Sequence, residues 1–207
     1  MDRAALRADA RCYTAAFCEE NVYHLARRLL HEEGGGGGGR PCVVLLISNA
    51  ARACPVWHQQ AAADARAVVV WDYHVVLLVQ GDAGAADAWL VYDLDSTLPF
   101  PCALAAYVSE ALRPHESMLP QYRQRFRAVA AHDYLALFAS DRRHMRRTDG
   151  SWAAPPPPGP PIRGCDAPSS WTLGALWEVA DDGGGGAAGD ARWGRVMSLE
   201  QLARFGV

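Results

Sequence analysis

Apolar residues recur along this chain at two intervals, and each interval predicts a different kind of element. From Cys18 onward, Val22, Leu25, Ala26 and Leu29 fall three or four residues apart, with Arg27, Arg28 and Glu32 on the other side. That spacing predicts an amphipathic helix, ended by the glycine run Gly34 to Gly39. Val43 to Ile47 is instead continuously apolar and stops at Ser48-Asn49, which predicts a buried strand. Val68 to Trp71 and Tyr73 to Val79 also predict strand, bent near Asp72 if the two runs are one. Ala88 to Tyr92 predicts the next strand, with a hairpin turn across Gly81 to Gly84. Thr97 to Pro101 breaks regular structure, and Cys102 to Leu112 returns to helical spacing through Leu104, Tyr107 and Val108. A strand at Phe126 to Val129 and a helix over about 133–139 follow.

The ends of the chain are poorer in pattern. Residues 1–11 carry mixed polarity and are expected to form a loose lead-in. Pro155 to Pro161 is polyproline-like and excludes a central strand there. Ser198, with Gln201 three residues on, matches a capping box that opens a short helix to Phe205. The C-terminal piece is too poor in apolar residues to fold alone and is expected to strap onto the main body. The whole is an α+β class chain with a mainly antiparallel sheet, expected to form a single domain over residues 1–207. The tracts Gly34–Gly39 and Gly183–Gly186 are expected to be surface loops without catalytic share, because polyglycine gains little from burial.

Composition narrows the function classes. With 207 residues, half of them apolar, the chain can bury one sizeable core. A net charge of −3 leaves no electrostatic footprint for nucleic acid. All twenty basic residues are arginine, and beside the alanine and glycine runs this reflects a compositional bias of the genome. Six cysteines occur without a C-x-x-C pair, and Met1 to Leu6 lacks the apolar core of a signal peptide. Reduced thiols in the cytosol or nucleus fit this better than a secreted disulfide framework. No apolar run approaches the roughly 20 residues of a spanning helix, so no membrane partner is expected. The glycines of 34–39 are followed by Arg40-Pro41 rather than Lys-Ser/Thr, which excludes a phosphate-binding loop.

The candidate chemistry lies where elements begin and end. Cys18 heads the predicted helix, where the helix dipole and free N–H groups are expected to lower a thiol's pKa. His74 leads into the run Val75 to Val79, and Asp93 follows the next strand. A cysteine nucleophile, a histidine base and a carboxylate that orients the base, in this order, suit papain-like and transglutaminase-like catalysis. Each has a rival: Cys12 for the nucleophile, His58 for the base, Asp72 or Asp95 for the orienter. Each also has a bland alternative as a core cysteine, a strand histidine or a turn cap. A zinc site from Cys18, Cys54, His58 and His74 lacks ligand-pair spacing. A non-catalytic interaction protein offering its proline run as a polyproline II ligand is a further alternative.

Longer strings weigh on that choice. They are Cys12-Tyr13-Thr14-Ala15-Ala16-Phe17-Cys18-Glu19-Glu20-Asn21, Ile47-Ser48-Asn49, Pro55-Val56-Trp57-His58-Gln59-Gln60 and Trp71-Asp72-Tyr73-His74-Val75-Val76. Tyr92-Asp93-Leu94-Asp95-Ser96-Thr97-Leu98-Pro99-Phe100-Pro101-Cys102, Phe138-Ala139-Ser140-Asp141-Arg142-Arg143-His144-Met145 and Pro155-Pro156-Pro157-Pro158 continue the series. In order and from about Cys12 to Gly206, the chain resembles the protein N-terminal glutamine amidohydrolase family. The resemblance implies an α-β-α sandwich related to papain-like proteases and transglutaminases, and a triad of Cys18, His74 and Asp93. It implies deamidation of N-terminal glutamine to glutamate with release of ammonia, a step feeding the N-degron pathway, in a monomer needing no cofactor and no metal. The expected partners are proteins or peptides with N-terminal glutamine, and other N-degron components. A peptidase or transglutaminase-like hydrolase of the same fold is the nearest alternative. Recognition of a free α-ammonium demands acceptors, for which Glu19, Glu20, Asp72 and Asp95 are the nearest acids; Trp57 and Trp71 are candidates to wall the pocket.

Overall fold

A strand that is apolar at every position needs cover on both of its faces, and that requirement organises this molecule. The computed structural model describes residues 1–9, 11–33, 40–64, 67–82, 89–114, 116, 118–179 and 190–205. The readings for Gly34–Gly39, for the far half of the Gly81–Gly84 turn and for Gly183–Gly186 lie outside the described residues. In chain order come α1 (Arg3–Ala8), α2 (Cys18–Glu33), β1 (Cys42–Ser48), β2 (Cys54–Val56) and β3 (Val69–Trp71). They are followed by β4 (His74–Gln80), β5 (Trp89–Tyr92), β6 (Cys102–Ala103) and α3 (Leu104–Tyr107), which runs into a π turn, Val108–Leu112. Then come β7 (Arg125–Ala130), α4 (Ala131–Leu137), β8 (Ala139–Ser140), β9 (Ile162–Arg163), α5 (Leu173–Trp177), β10 (Arg195–Met197) and α6 (Leu199–Ala203).

Six strands form one sheet in the order β10-β7-β1-β4-β5-β6, with every pairing antiparallel. Side chains alternate across it, so β1 and β4 feed two cores at once. Val44, Leu46, Val75 and Leu77 meet Val22, Leu25 and Ala26 of α2, with Tyr134 of α4 and Leu176 of α5. Leu45, Ile47, Val76 and Leu78 meet Tyr107, Ala111 and Leu112 on the other face, with Leu199 and Leu202 of α6. Helices thus cover both faces of a mainly antiparallel sheet, an α+β arrangement. Among the described residues, no helix is long and apolar enough to cross a membrane.

Several elements differ from expectation. The lead-in holds a helix, α1, because Asp2 caps it at Ala4 N (3.0 Å) and Leu6 is buried in the α2 core. The runs before and after Asp72 belong to different sheets: β3 pairs with β2, and β4 with β1. The Asp72 carboxylate accepts from Tyr73 N (3.0 Å) at the break, an Asx contact that favours a turn over continued strand. The predicted helix over 133–139 begins and ends two residues earlier, since Ala139 leaves it to pair with Arg163. The capping box of α6 is present in both directions. β10 pairs with β7, and the buried Arg127 donates to the carbonyls of Leu176 (2.9 Å), Glu178 (2.6 Å) and Trp193 (3.1 Å), fastening the C-terminal segment as expected.

Candidate active site

The first turn of α2 is held from the outside. Asn21 exchanges both amide contacts with Thr14, accepting from its N–H (2.8 Å) and donating to its carbonyl (2.9 Å). This folds the preceding loop over the helix start and leaves Cys18 beside a cavity of about 180 Å³. Ala16, Trp71, Asp72, Tyr73, His74, Asp95, His144 and Met145 line the rest of it. No arginine is among the lining residues; beside the Cys18 thiol, the Tyr73 phenol and the apolar groups, the wall carries the carboxylates of Asp72 and Asp95 and the imidazoles of His74 and His144.

His74 opens β4 at the cavity wall and is 1% exposed. Its Nε2 lies 3.1 Å from Asp93 Oδ1, across the junction where β5 leaves the sheet. Asp93 is held in turn by Tyr107 (2.8 Å), Gln59 Nε2 (3.2 Å) and the backbone N–H of Asp95 (2.9 Å). Trp71 stacks on the imidazole at 5.6 Å and 14°, and its indole N–H donates to Gln59 Oε1 (3.2 Å). Gln59 therefore ties the stacking ring to the carboxylate. Both ring nitrogens are buried and neither makes a hydrogen bond of good geometry, so Nε2 meets Asp93 as a close ion-pair contact while Nδ1 has no polar partner. Burial lowers the pKa of His74, but the charge and close contact of Asp93 outweigh it, and the net direction is up. Burial likewise works against the Asp93 carboxylate, yet His74, Asp95 N–H and Tyr107 together bring it below the ordinary range.

Cys18 corrects one expectation. Its thiol is pushed well above the ordinary value, first by burial and then by the charges of Glu19 and Asp95. The backbone N–H of Val75 works the other way, and the helix start does not reverse the balance. The resting group is a thiol, so attack requires a base that takes its proton.

Glu19 is fully buried behind the cavity wall. Tyr73 donates to its Oε2 (2.9 Å), and His144 Nε2 lies 3.4 Å from its Oε1. Asp72 and Asp95 both line the cavity, already engaged: Asp72 with Arg52 (3.1 Å), Asp95 with Arg7 (3.1 Å) and Tyr13 (2.6 Å). Glu20 is turned away into a bidentate pair with Arg142 (2.8 and 2.9 Å). Trp57 is absent from the wall, because it sits under Arg113 (4.4 Å) beside the π turn. Of the rivals, Cys12 faces Asp9 (3.7 Å) and His58 faces Glu110 (3.9 Å). Cys54 is buried in β2, and no set of three metal-ligating side chains converges among the described residues.

A profile of N-terminal glutamine amidases matches residues 13–206, nearly the whole chain. The chain belongs to the N-terminal glutamine amidase family. The protein N-terminal glutamine amidohydrolase of Arabidopsis thaliana is 45% identical over 150 residues, 72% of this chain and 67% of that protein. The Homo sapiens protein of that name is 40% identical over 199 residues, 96% of this chain and 89% of its own length. The Bos taurus protein is 40% identical over 194 residues, 94% and 86% of the two chains.

In this amidase-family chain, sequence reasoning missed Gln59, Tyr73, Tyr107 and His144 as parts of the site. Gln59, Tyr73 and His144 lie inside strings that carry the family resemblance, which was the available signal. Their roles come from four separate segments and leave no common spacing to read.

Proposed function

We propose that this chain hydrolyses the side-chain carboxamide of an N-terminal glutamine, releasing ammonia and leaving N-terminal glutamate. The observation that carries the reading is the disposition of His74. One ring nitrogen is taken by Asp93, and the other is buried without a partner on a residue sharing its cavity with Cys18. In the reaction, Cys18 gives its proton to His74 Nδ1 as its sulfur attacks the carboxamide carbon. The imidazolium, stabilised by Asp93, returns that proton to the departing nitrogen, and ammonia leaves. A water then loses a proton to His74 Nδ1 and opens the thioester, restoring the thiol. The backbone N–H of Cys18 at the helix start is one donor for the oxyanion. A helix-borne cysteine, a strand-borne histidine and an aspartate just past the next strand support kinship with papain-like and transglutaminase-like hydrolases. The new N-terminal glutamate is open to arginylation, which would feed the N-degron pathway.

The test is ammonia release from Gln-peptides. Cys18→Ser should abolish it in a folded protein, while Cys12→Ser should keep most of it. Nα-acetylated Gln-peptide and internal glutamine should be nearly inert. Deamidation of acetylated and free peptides at equal rates would favour a general glutaminase.

A further inference from the structure

Glu19 is a buried carboxylate surrounded by hydrogen-bonding side chains. Tyr73 donates to it, His144 stands 3.4 Å away, and the Cys18 thiol approaches at 3.8 Å. No arginine pairs with it among the described residues; Arg142, nearby, is committed to Glu20 through both carboxylate oxygens. A buried charge without a counter-charge is costly unless something supplies one. The hydrogen bonds also determine how His144 presents itself. Tyr73 has one proton, and a carboxylate that only accepts takes it at 2.9 Å. The 3.2 Å contact between Tyr73 and His144 Nε2 therefore runs with Nε2–H donating. With Nε2 donating toward Tyr73, Nδ1 is the ring atom left to accept from a bound ligand.

His144 lines the cavity with its side chain 9% exposed, and Nδ1 is buried without a partner. The two acids that line the wall, Asp72 and Asp95, already face arginines. We infer that His144, held by Tyr73 and Glu19, accepts a hydrogen bond at Nδ1 from the substrate α-ammonium, whose positive charge compensates Glu19. The inference rests on the amidohydrolase reading above and names its specificity-determining residue. A carboxamide N–H would satisfy Nδ1 but would leave Glu19 without a counter-charge, which favours the ammonium. Tyr73 is then a positioning residue, linking the charge to the ring that touches substrate.

Two peptides alike except at the first residue separate the possibilities. One begins with glutamine; the other carries 5-amino-5-oxopentanoyl in its place, keeping the carboxamide chain and lacking the α-amino group. His144→Leu should lower kcat/KM for the Gln-peptide by about 10- to 100-fold, while the des-amino peptide, read as kcat/KM or as Ki in competition, changes less than about threefold. Tyr73→Phe should lower the Gln-peptide selectively in the same way. His144→Asn, which keeps an acceptor near the Nδ1 position, should recover part of the loss and carries the test if the leucine variant does not fold. Equal losses on both peptides, or no loss on either, would overturn the assignment of His144. Wild-type protein that releases no ammonia from the Gln-peptide would instead overturn the reading beneath it.

Discussion

Burial and a carboxylate pull on the His74 imidazole in opposite directions, and the carboxylate prevails. A raised pKa means that the ring keeps its proton to a higher pH than an ordinary histidine, so the base form fills only above about 6.5. The acidic limb of kcat/KM should therefore have its midpoint above that value. Asp93→Asn removes the opposing charge and leaves burial, so the limb should move to lower pH. Turnover at the optimum should fall on the order of a hundred- to ten-thousandfold, as the ring loses its orienting partner. A pH profile of ammonia release measures both, and an unmoved limb would show that another group titrates. Cys18, His74 and Asp93 stand out in the sequence as candidates because each begins or follows an element. The raised thiol pKa was not, since it depends on how deeply the sulfur lies and on Glu19 and Asp95 around it.

Four successive residues at the start of α2 are each committed to different partners. Cys18 faces the cavity, Glu19 meets Tyr73 and His144, Glu20 meets Arg142, and Asn21 meets Thr14. Arg142 also donates to the carbonyls of Pro157 (3.1 Å) and Gly159 (3.2 Å), so one side chain holds both the helix and the proline run. Its removal leaves Glu20 buried and unpaired. Arg142→Ala should cost about 3–5 kcal/mol by urea unfolding, and adding Glu20→Leu should return part of that. Such long-range ties explain what pattern reading missed at this scale. The runs Val43–Ile47 within β1 and Val75–Val79 within β4 are apolar throughout and stand out; α1 buries only Leu6 and leans on Asp2 and two arginines. The split between β3 and β4 turns on one Asx contact inside an otherwise continuous apolar stretch.

At the scale of the whole molecule, the C-terminal segment completes both the sheet and its far core. Trp193, Met197, Leu199 and Leu202 are all buried. At about 1.5–3 kcal/mol each, they contribute roughly 6–12 kcal/mol, the size of a domain's entire stability. Deleting residues 190–205 should therefore abolish a cooperative thermal transition and expose dye-binding apolar surface; a sharp melt in that truncation would contradict it. The antiparallel layering was legible because alternation serves two cores, whereas the order of strands was not, since β10 reaches β7 from far along the chain. The docking of α1 has its own consequence. Arg3 reaches the Leu98 carbonyl (2.8 Å), and Arg7 reaches both the Leu94 carbonyl (2.6 Å) and Asp95. The short turn that carries Asp93 and Asp95 is thus latched by a helix that touches no reacting atom. Unlatching it would let the two acids drift together, loosening the His74 imidazole and reshaping the cavity rim in a single slip.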